Sequence, residues 1–174
     1  MRLHLFWAEV GADLFASYLL MPLDDYRKQV TTTVDLDVLG ACADRYGVSL
    51  TAAILKWPQY TDEKAVLAMS NDGFIDWTWS SEPAARAGAF FRTRGNVIAV
   101  PEKSLAANQD ITHDRQGSEI SAAVWFPHAD PRTPLREMKV HAIQYDATLT
   151  LLCLPRSAEA WPPHADWDRG PSED

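Results

Sequence analysis

The first third of the chain predicts helices, because its apolar residues recur at steps of three and four. The first segment with this period covers residues 5–21 and ends before Pro22. Pro22 and the acidic pair Asp24 and Asp25 suit the first turn of a second helix, where proline fits and the helix dipole favours negative charge. Two amphipathic helices are therefore expected before the polar connector at residues 31–33.

The next two predicted helices have the outline of a helix-turn-helix. Asp35 suits the N-cap of a helix that runs to about Tyr46, and Gly47 suits its end because glycine tolerates left-handed backbone angles. Ser49 suits the N-cap of the following helix, which Pro58 stops.

From about Thr61 the chain predicts strands, since runs rich in β-branched and aromatic residues replace the helical period. Asp72-Gly73 is a strong signal for the turn of a β-hairpin. Three later strands are expected, at residues 120–126, 138–145 and 148–154. The last of these is a β-rich apolar run, which is typical of a central strand. Two less distinct elements are expected between the hairpin and these later strands. They are a helix within residues 82–92 and a short strand at residues 97–100.

These elements predict an α+β fold in which helices come first and a mixed or antiparallel sheet follows. The changes in pattern place a helical part at residues 1–60, a sheet domain at residues 61–155 and a flexible acidic tail at residues 156–174. The tail is predicted because proline, glycine and acidic residues dominate it, with too few apolar residues to form a core.

Charge and composition argue against some classes of function. The chain has 174 residues and a formal net charge of -8, so charge repulsion disfavours nonspecific binding to nucleic acid. No signal peptide is predicted, and no apolar run approaches the ~20 residues that a membrane span needs. The two cysteines, Cys42 and Cys153, lie in apolar stretches and are expected to be free thiols. The chain is therefore predicted to be cytoplasmic, with no membrane partner.

Glu9 is the residue that most strongly suggests a site in the first helix. At ~100° per residue it falls within the apolar stripe that includes Leu5 and Ala12. A carboxylate in such a stripe is costly unless it is paired or bound to a cation. Two structural explanations stay open, which are a favourable dipole near the helix start and an exposed first turn.

The string EVGADLFASYLLMP, residues 9–22, resembles the ImmA/IrrE family of metallopeptidase-like regulators. That family carries Glu-x-x-Ala-Asn/Asp-x-Phe-Ala, followed closely by Leu-Leu-Met-Pro. A looser resemblance continues through residues 39–55, 72–77 and 149–152, and in total it covers about residues 5–155. The resemblance implies a helix-turn-helix segment and a sensor-like sheet domain.

In that family a helix bearing His-Glu-x-x-His supplies two zinc ligands and the general base, and the glutamate that Glu9 matches is the third zinc ligand. A catalytic zinc site needs all of these groups. Only eight residues precede Glu9, and no two of the five histidines stand at helical ligand spacing. The resemblance therefore implies neither a self-sufficient enzyme nor a cofactor for this chain alone. Zinc is expected only if a segment outside the chain supplies two histidines.

Two functions fit a chain that carries the Glu9 motif but no His-Glu-x-x-His helix. The favoured one is the non-catalytic, protein-binding portion of an ImmA/IrrE-type protein in transcriptional or stress regulation. The alternative is a zinc metallopeptidase that a His-Glu-x-x-His segment on another chain completes and that cleaves a repressor-type partner. The expected partner is accordingly a repressor-type regulator or the missing peptidase half. Self-association is also predicted, because the first helix would expose apolar residues in the absence of a preceding domain.

DNA binding through residues 35–57 is a further alternative. The side chains available for it are Arg45, Ser49, Thr51 and Lys56. Acidic neighbours such as Asp37 and Asp44 keep this unit from being basic, so nucleic acid is not the favoured partner.

One basic cluster interrupts the predicted sheet domain. It consists of Arg86, Arg92 and Arg94, with Phe90 and Phe91 between them. A solvated face is one interpretation. The other is a contact for an anion or a partner, with the phenylalanines as exposed anchors.

Overall fold

The computed structural model describes residues 20–30, 34–57, 61–142 and 146–161. The chain divides into two compact units, residues 1–60 and residues 61–174. In the described parts, helices precede a five-stranded antiparallel sheet, so the predicted α+β class is confirmed. The predicted helix at residues 5–21 lies almost wholly outside the described residues.

The first unit contains three described helices, α1 (Leu23–Gln29), α2 (Leu36–Tyr46) and α3 (Leu50–Lys56). The side chain of Asp35 accepts hydrogen bonds from two backbone amides in the first turn of α2, and Gly47 ends α2 with φ of 64°. The Ser49 hydroxyl accepts from the Ala52 amide at the start of α3. The predicted caps are therefore present, and α2 and α3 meet at 107°, as in a helix-turn-helix.

A polar cluster joins α1 to the other two helices. The buried Tyr26 hydroxyl donates to the Ala53 carbonyl at 2.6 Å, and its ring stacks on that of Tyr46 with centroids 6.1 Å apart. Asp25 accepts from the Tyr46 hydroxyl at 2.7 Å and from the Arg45 guanidinium at 3.2 Å. The hydrogen bond from Tyr46 is the main reason that the pKa of Asp25 is lowered.

None of the described helices is by itself long and apolar enough to cross a membrane. α2 and α3 reach that length and composition only when they are counted together across their bend.

The second unit is built on a sheet of five strands. They are β1 (Lys64–Asn71), β2 (Phe74–Ser80), β3 (His113–Ser121), β4 (Pro134–Ala142) and β5 (Ala147–Leu154). Their order across the sheet is β2-β1-β5-β4-β3, with antiparallel pairing throughout. β5 is therefore the central strand, as its apolar run predicts. Asp72 and Gly73 form the predicted hairpin turn, with φ of 49° and 78°.

Both faces of this sheet are buried, with Leu67, Leu151 and Met138 on one face and a hydrophobic cluster on the other. Val66, Leu152 and Leu154 pack there with aromatic residues from outside the strands, chiefly Trp125, Phe126 and Trp161. The Phe126 and Trp161 rings are 5.6 Å apart.

The predicted helix at residues 82–92 is shorter than expected. α4 covers Glu82–Arg86, is capped by Ser81 and is followed by Gly88 with φ of 93°. A Cβ on Gly88 would lie 2.5 Å from the Trp161 carbonyl oxygen, so the turn is fixed by a close backbone approach. The predicted strand at residues 97–100 is reduced to one bridge, between Ala99 and Phe74.

Only the first two residues of the predicted strand at residues 120–126 lie in a strand. β3 ends at Ser121, whose hydroxyl accepts from the Ala123 amide and starts a 3-10 helix, Ala122–Val124. That turn directs Trp125 and Phe126 into the core.

Six residues of the predicted tail, 156–161, belong to the folded unit. Lys64 Nζ donates to the carbonyls of Arg156 and Ala158, at 2.8 Å and 2.5 Å. The Trp161 amide donates to the Ala87 carbonyl at 3.0 Å, and only 9% of Trp161 is exposed. The predicted boundary at residue 155 is therefore too early. Residues 162–174 lie outside the described part of the chain.

Candidate functional site

The sheet face that carries the hydrophobic cluster of Val66 and Leu152 becomes polar towards one end. Directly opposed residues on neighbouring strands point to the same side, so the register defines rows across β1, β5 and β4. Three successive rows are Val66-Leu152-Glu137, Ala68-Thr150-Lys139 and Ser70-Thr148-His141. Polar side chains accumulate from the first row to the third, in the direction of the β1-β2 and β4-β5 turns.

A partly open cavity of about 650 Å³ lies against this polar end. The third row and Lys139 form one wall of the cavity, and residues 100–112 and the two turns contribute the others. Its volume is typical of sites for small molecules. Most of the side chains that line it are polar, which favours a polar ligand over an apolar one.

Lys139 is the buried charged group of this wall. Only 3% of the residue is exposed, and its Nζ donates to the Asn108 carbonyl at 2.6 Å. Burial lowers the pKa of Lys139, and the nearby Glu137 carboxylate offsets part of that effect. An ammonium has three donors, and the described residues provide an acceptor for one of them.

Thr150 lies directly opposite Lys139 on β5, one row inward from the wall. Only 1% of the residue is exposed, and its Oγ1 has no hydrogen-bond partner among the described residues. A buried hydroxyl without a partner costs about 1–3 kcal/mol. The middle row therefore combines a buried charge and an unsatisfied hydroxyl in the interior of a sheet.

Glu137 is also buried, but its hydrogen bonds are within the protein. Its two carboxylate oxygens accept from the Ala106 amide at 2.7 Å and from the Trp125 indole at 3.0 Å. Burial raises the pKa of Glu137, while these hydrogen bonds act in the opposite direction. Glu137 and Lys139 thus fasten the segment of residues 100–112 at two points, Ala106 and Asn108.

The mouth of the cavity is acidic. Three exposed carboxylates line it, those of Asp72, Glu102 and Asp146, and we call them the acidic rim. His141 lies between Lys139 and this rim, with its Nδ1 3.0 Å from the Thr148 hydroxyl and its Nε2 3.8 Å from Asp146 Oδ1.

Sheet register brings two of the rim residues together. Asn71 at the end of β1 pairs with Ala147 at the start of β5. Asp72 follows Asn71 and Asp146 precedes Ala147, so both carboxylates lie at the same end of the sheet although they are far apart in the sequence.

The side chains proposed for DNA contact are mostly occupied or buried. Arg45 pairs with Asp25, and the Ser49 hydroxyl caps α3. Lys56 is fully buried, which lowers its pKa, and Thr51 is half-buried. The helix-turn-helix outline is present, but it does not present the basic surface that a DNA phosphate backbone requires.

The fold gives the residues of the predicted anion or partner contact different surroundings. The Phe91 ring packs on those of Trp125 and Phe126, at 6.0 Å and 5.2 Å, so it belongs to the core and is not an exposed anchor. The guanidinium of Arg92 lies 6.0 Å from the centre of the half-buried Phe90 ring. Arg86 pairs with Glu82 at 2.6 Å, and Arg94 is exposed.

Glu9, the predicted metal ligand, lies outside the described residues. Within the described ranges, no group of three or more His, Cys, Asp or Glu side chains is arranged to hold a metal ion. Sequence reasoning missed the cavity. Thr150 is a polar residue within the apolar run of β5, but β4 alternates polar and apolar residues, so Lys139 resembles a surface position in the sequence.

Comparison with known proteins identifies no family, since no protein-family model matches the chain and no curated protein matches it significantly. The cavity and its side chains are therefore the basis for assigning a function.

Proposed function

We propose that this chain is a regulatory protein whose sheet unit binds a small polar molecule in the cavity and signals the bound state through protein contacts. The observation that carries the proposal is the burial of Lys139 on the cavity wall. A buried ammonium costs several kcal/mol of solvation free energy unless polar partners replace water. The polar contacts of Lys139 among the described residues are the Asn108 carbonyl and the nearby Glu137 carboxylate, and a ligand in the cavity would add to them.

A ligand that accepts hydrogen bonds from the buried ammonium would explain why a charge lies at this position. Sites for small molecules place a few polar groups on the walls of a preformed cavity, and ionisable residues with perturbed pKa values concentrate in such sites. Lys139 combines a lowered pKa, a cavity and an ammonium whose donors find one acceptor among the described residues.

The resemblance of residues 9–22 to ImmA/IrrE proteins supports a regulatory role. On this proposal the chain is the non-catalytic portion of such a regulator, in transcriptional or stress regulation, and its protein partner is a repressor-type regulator or a separate peptidase half. On the same proposal, the sheet unit takes the part of the sensor-like domain that the resemblance implies.

Thermal unfolding of the full chain tests ligand binding. The probes are inorganic phosphate, acetate, glucose, and each of the twenty common amino acids, each against wild type, Lys139→Met and Lys103→Met. Lys103 is an exposed lysine near the cavity and is the matched control. A ligand at a hundred times its Kd stabilises the folded state by about 2.7 kcal/mol.

We expect at least one probe to raise the Tm of the wild type and of Lys103→Met, but not that of Lys139→Met. If no probe raises the Tm, or if Lys139→Met responds as the wild type does, the proposal is wrong.

A zinc peptidase completed by another chain is the second candidate, and the Glu9 motif favours it. Metal analysis of the purified chain, alone and with the product of the neighbouring upstream gene, distinguishes the two. Stoichiometric zinc that is lost in Glu9→Ala would establish the peptidase site and contradict the non-catalytic proposal. The absence of zinc in both preparations would contradict the peptidase.

A further inference from the structure

The cavity separates its charges by depth. The positive group, Lys139, is buried in the wall, whereas the three carboxylates of the acidic rim are exposed at the mouth. A ligand that enters this cavity meets the acidic rim first and the ammonium last. Its two ends therefore meet opposite charges.

The deep end suits a single carboxylate. Lys139 places its ammonium on this wall, next to a polar row in which the Ser70 hydroxyl donates to the Thr148 carbonyl and the Thr148 hydroxyl bonds to His141. No arginine lines the cavity among the described residues, so the bidentate guanidinium contact typical of phosphate sites is missing there. A doubly charged phosphate would also be repelled by the three carboxylates of the acidic rim.

The outer end suits an ammonium. Asp146 and Asp72 come together through strand register, and Glu102 lines the same mouth from the 100–112 segment. A purely anionic ligand would be repelled by these carboxylates, and a purely cationic ligand would be repelled by Lys139. A neutral ligand would offer an opposite charge to neither the ammonium nor the acidic rim.

The spacing fits a short ligand. His141 follows Lys139 by two residues on β4, which is about 7 Å along the strand. The His141 ring lies 3.8 Å from Asp146. These neighbouring positions place the ammonium and the acidic rim within reach of a single small ligand.

From this arrangement, and on the basis of the proposed function, we infer that the cavity binds a free α-amino acid as its zwitterion. The carboxylate lies at Lys139 and the ammonium lies at the acidic rim. The apolar lining residues Ala106, Ala107 and Ile111 leave room for an uncharged side chain beside them.

Chemically capped ligands test the carboxylate contact and the ammonium contact separately. Isothermal titration of the full chain with the twenty common amino acids identifies the tightest one. That amino acid is then compared with its N-acetyl derivative, which lacks the ammonium, and with its carboxamide, which lacks the carboxylate. We expect each cap to weaken binding by about tenfold or more, since each removes one charge-assisted interaction.

Matched variants assign each end of the ligand. In Asp146→Asn the penalty for N-acetylation should shrink, while the penalty for the carboxamide remains. In Lys139→Met the penalty for the carboxamide should shrink, while the penalty for N-acetylation remains. Asp146 has φ of 48°, a conformation that asparagine adopts readily, so Asp146→Asn preserves the turn even if Lys139→Met fails to fold. Asp76→Asn, on the exposed side of β2, is the control for loss of a carboxylate.

The outcomes distinguish this inference from the proposed function. If no amino acid binds but phosphate, acetate or glucose binds in a Lys139-dependent manner, the cavity is a ligand site and the zwitterion is wrong. The same holds if the N-acetyl derivative binds as tightly as the free amino acid. If no probe binds, both the inference and the proposed function fail.

Discussion

Lys139 and Thr150 lie directly opposite each other on β4 and β5, and both are almost completely buried. The lysine donates to Asn108, whereas the threonine hydroxyl has no partner among the described residues. A sheet interior normally satisfies its polar groups, so this pair marks the row where the architecture departs from what stability alone favours.

Replacing Thr150 by valine should stabilise the protein. The change removes a buried hydroxyl that has no described partner and keeps the branched shape, so the free energy of unfolding should rise by about 1 kcal/mol. Urea titration of the full chain measures it. Thr148→Val is the matched control, because its hydroxyl is bonded to His141, and it should lose about 1 kcal/mol. A loss of stability in Thr150→Val would show that its hydroxyl has a partner in solution.

Replacing Glu137 by leucine should destabilise the protein by about 2–4 kcal/mol. The Ala106 amide and the Trp125 indole would both be left buried without an acceptor, and each such group costs about 1–3 kcal/mol. A double-mutant cycle with Trp125→Phe isolates the indole contact, with an expected coupling of about 1–2 kcal/mol. Glu119→Leu, at an exposed position on β3, controls for the loss of a carboxylate. A coupling near zero would show that the two side chains do not interact in solution.

The stability of the wild type relative to Lys139→Met should rise with pH in the alkaline range. Burial places the pKa of Lys139 in the folded state below its ordinary value of 10.5, so the unfolded chain binds more protons between those two values. The cost of burying the ammonium is fully present below the folded pKa and is relieved as pH rises through it. Denaturant titrations of both proteins from neutral pH to 10.5 measure the difference. A difference that stays constant or falls would contradict the lowered pKa.

Replacing Gly88 by alanine should cost more stability than the same change at Gly95. Both glycines have positive φ, at 93° and 80°, so both substitutions carry a backbone strain of about 1–2 kcal/mol. At Gly88 the new Cβ would also lie 2.5 Å from the Trp161 carbonyl oxygen, whereas nothing lies within 4 Å at Gly95. We expect a further loss of about 1–3 kcal/mol at Gly88, measured by urea unfolding. Equal losses would mean that Trp161 does not pack against this turn.

Several elements were predicted correctly because their signals are local. Asp35 and Ser49 cap helices by bonding amides two or three residues away, and Gly47 ends α2 through its own backbone angle. Asp72-Gly73 forms its turn for the same reason. In each case the residue type determines the hydrogen bond or the dihedral angle within one turn of chain.

Other elements were missed because they depend on distant contacts. The start of β3 is polar and lies at the edge of the sheet, so it has no hydrophobic period, and its pairing with β4 supplies its strand structure. In the sequence, Trp161 belongs to a polar tail. In the folded protein its ring packs on Phe126 and its amide donates to the Ala87 carbonyl.

By itself the sequence determined the fold class, the helix caps and the central position of β5, since these follow from hydrophobic period and residue conformation over a few neighbouring positions. Only the tertiary structure decided that Lys139 lies in a cavity wall opposite Thr150, and that Asp72 and Asp146 share its mouth. Those relationships come from strand register, which joins residues as far apart as Ser70 and Thr148, a separation of 78 positions. A lysine in a strand is an ordinary surface residue until that register buries it.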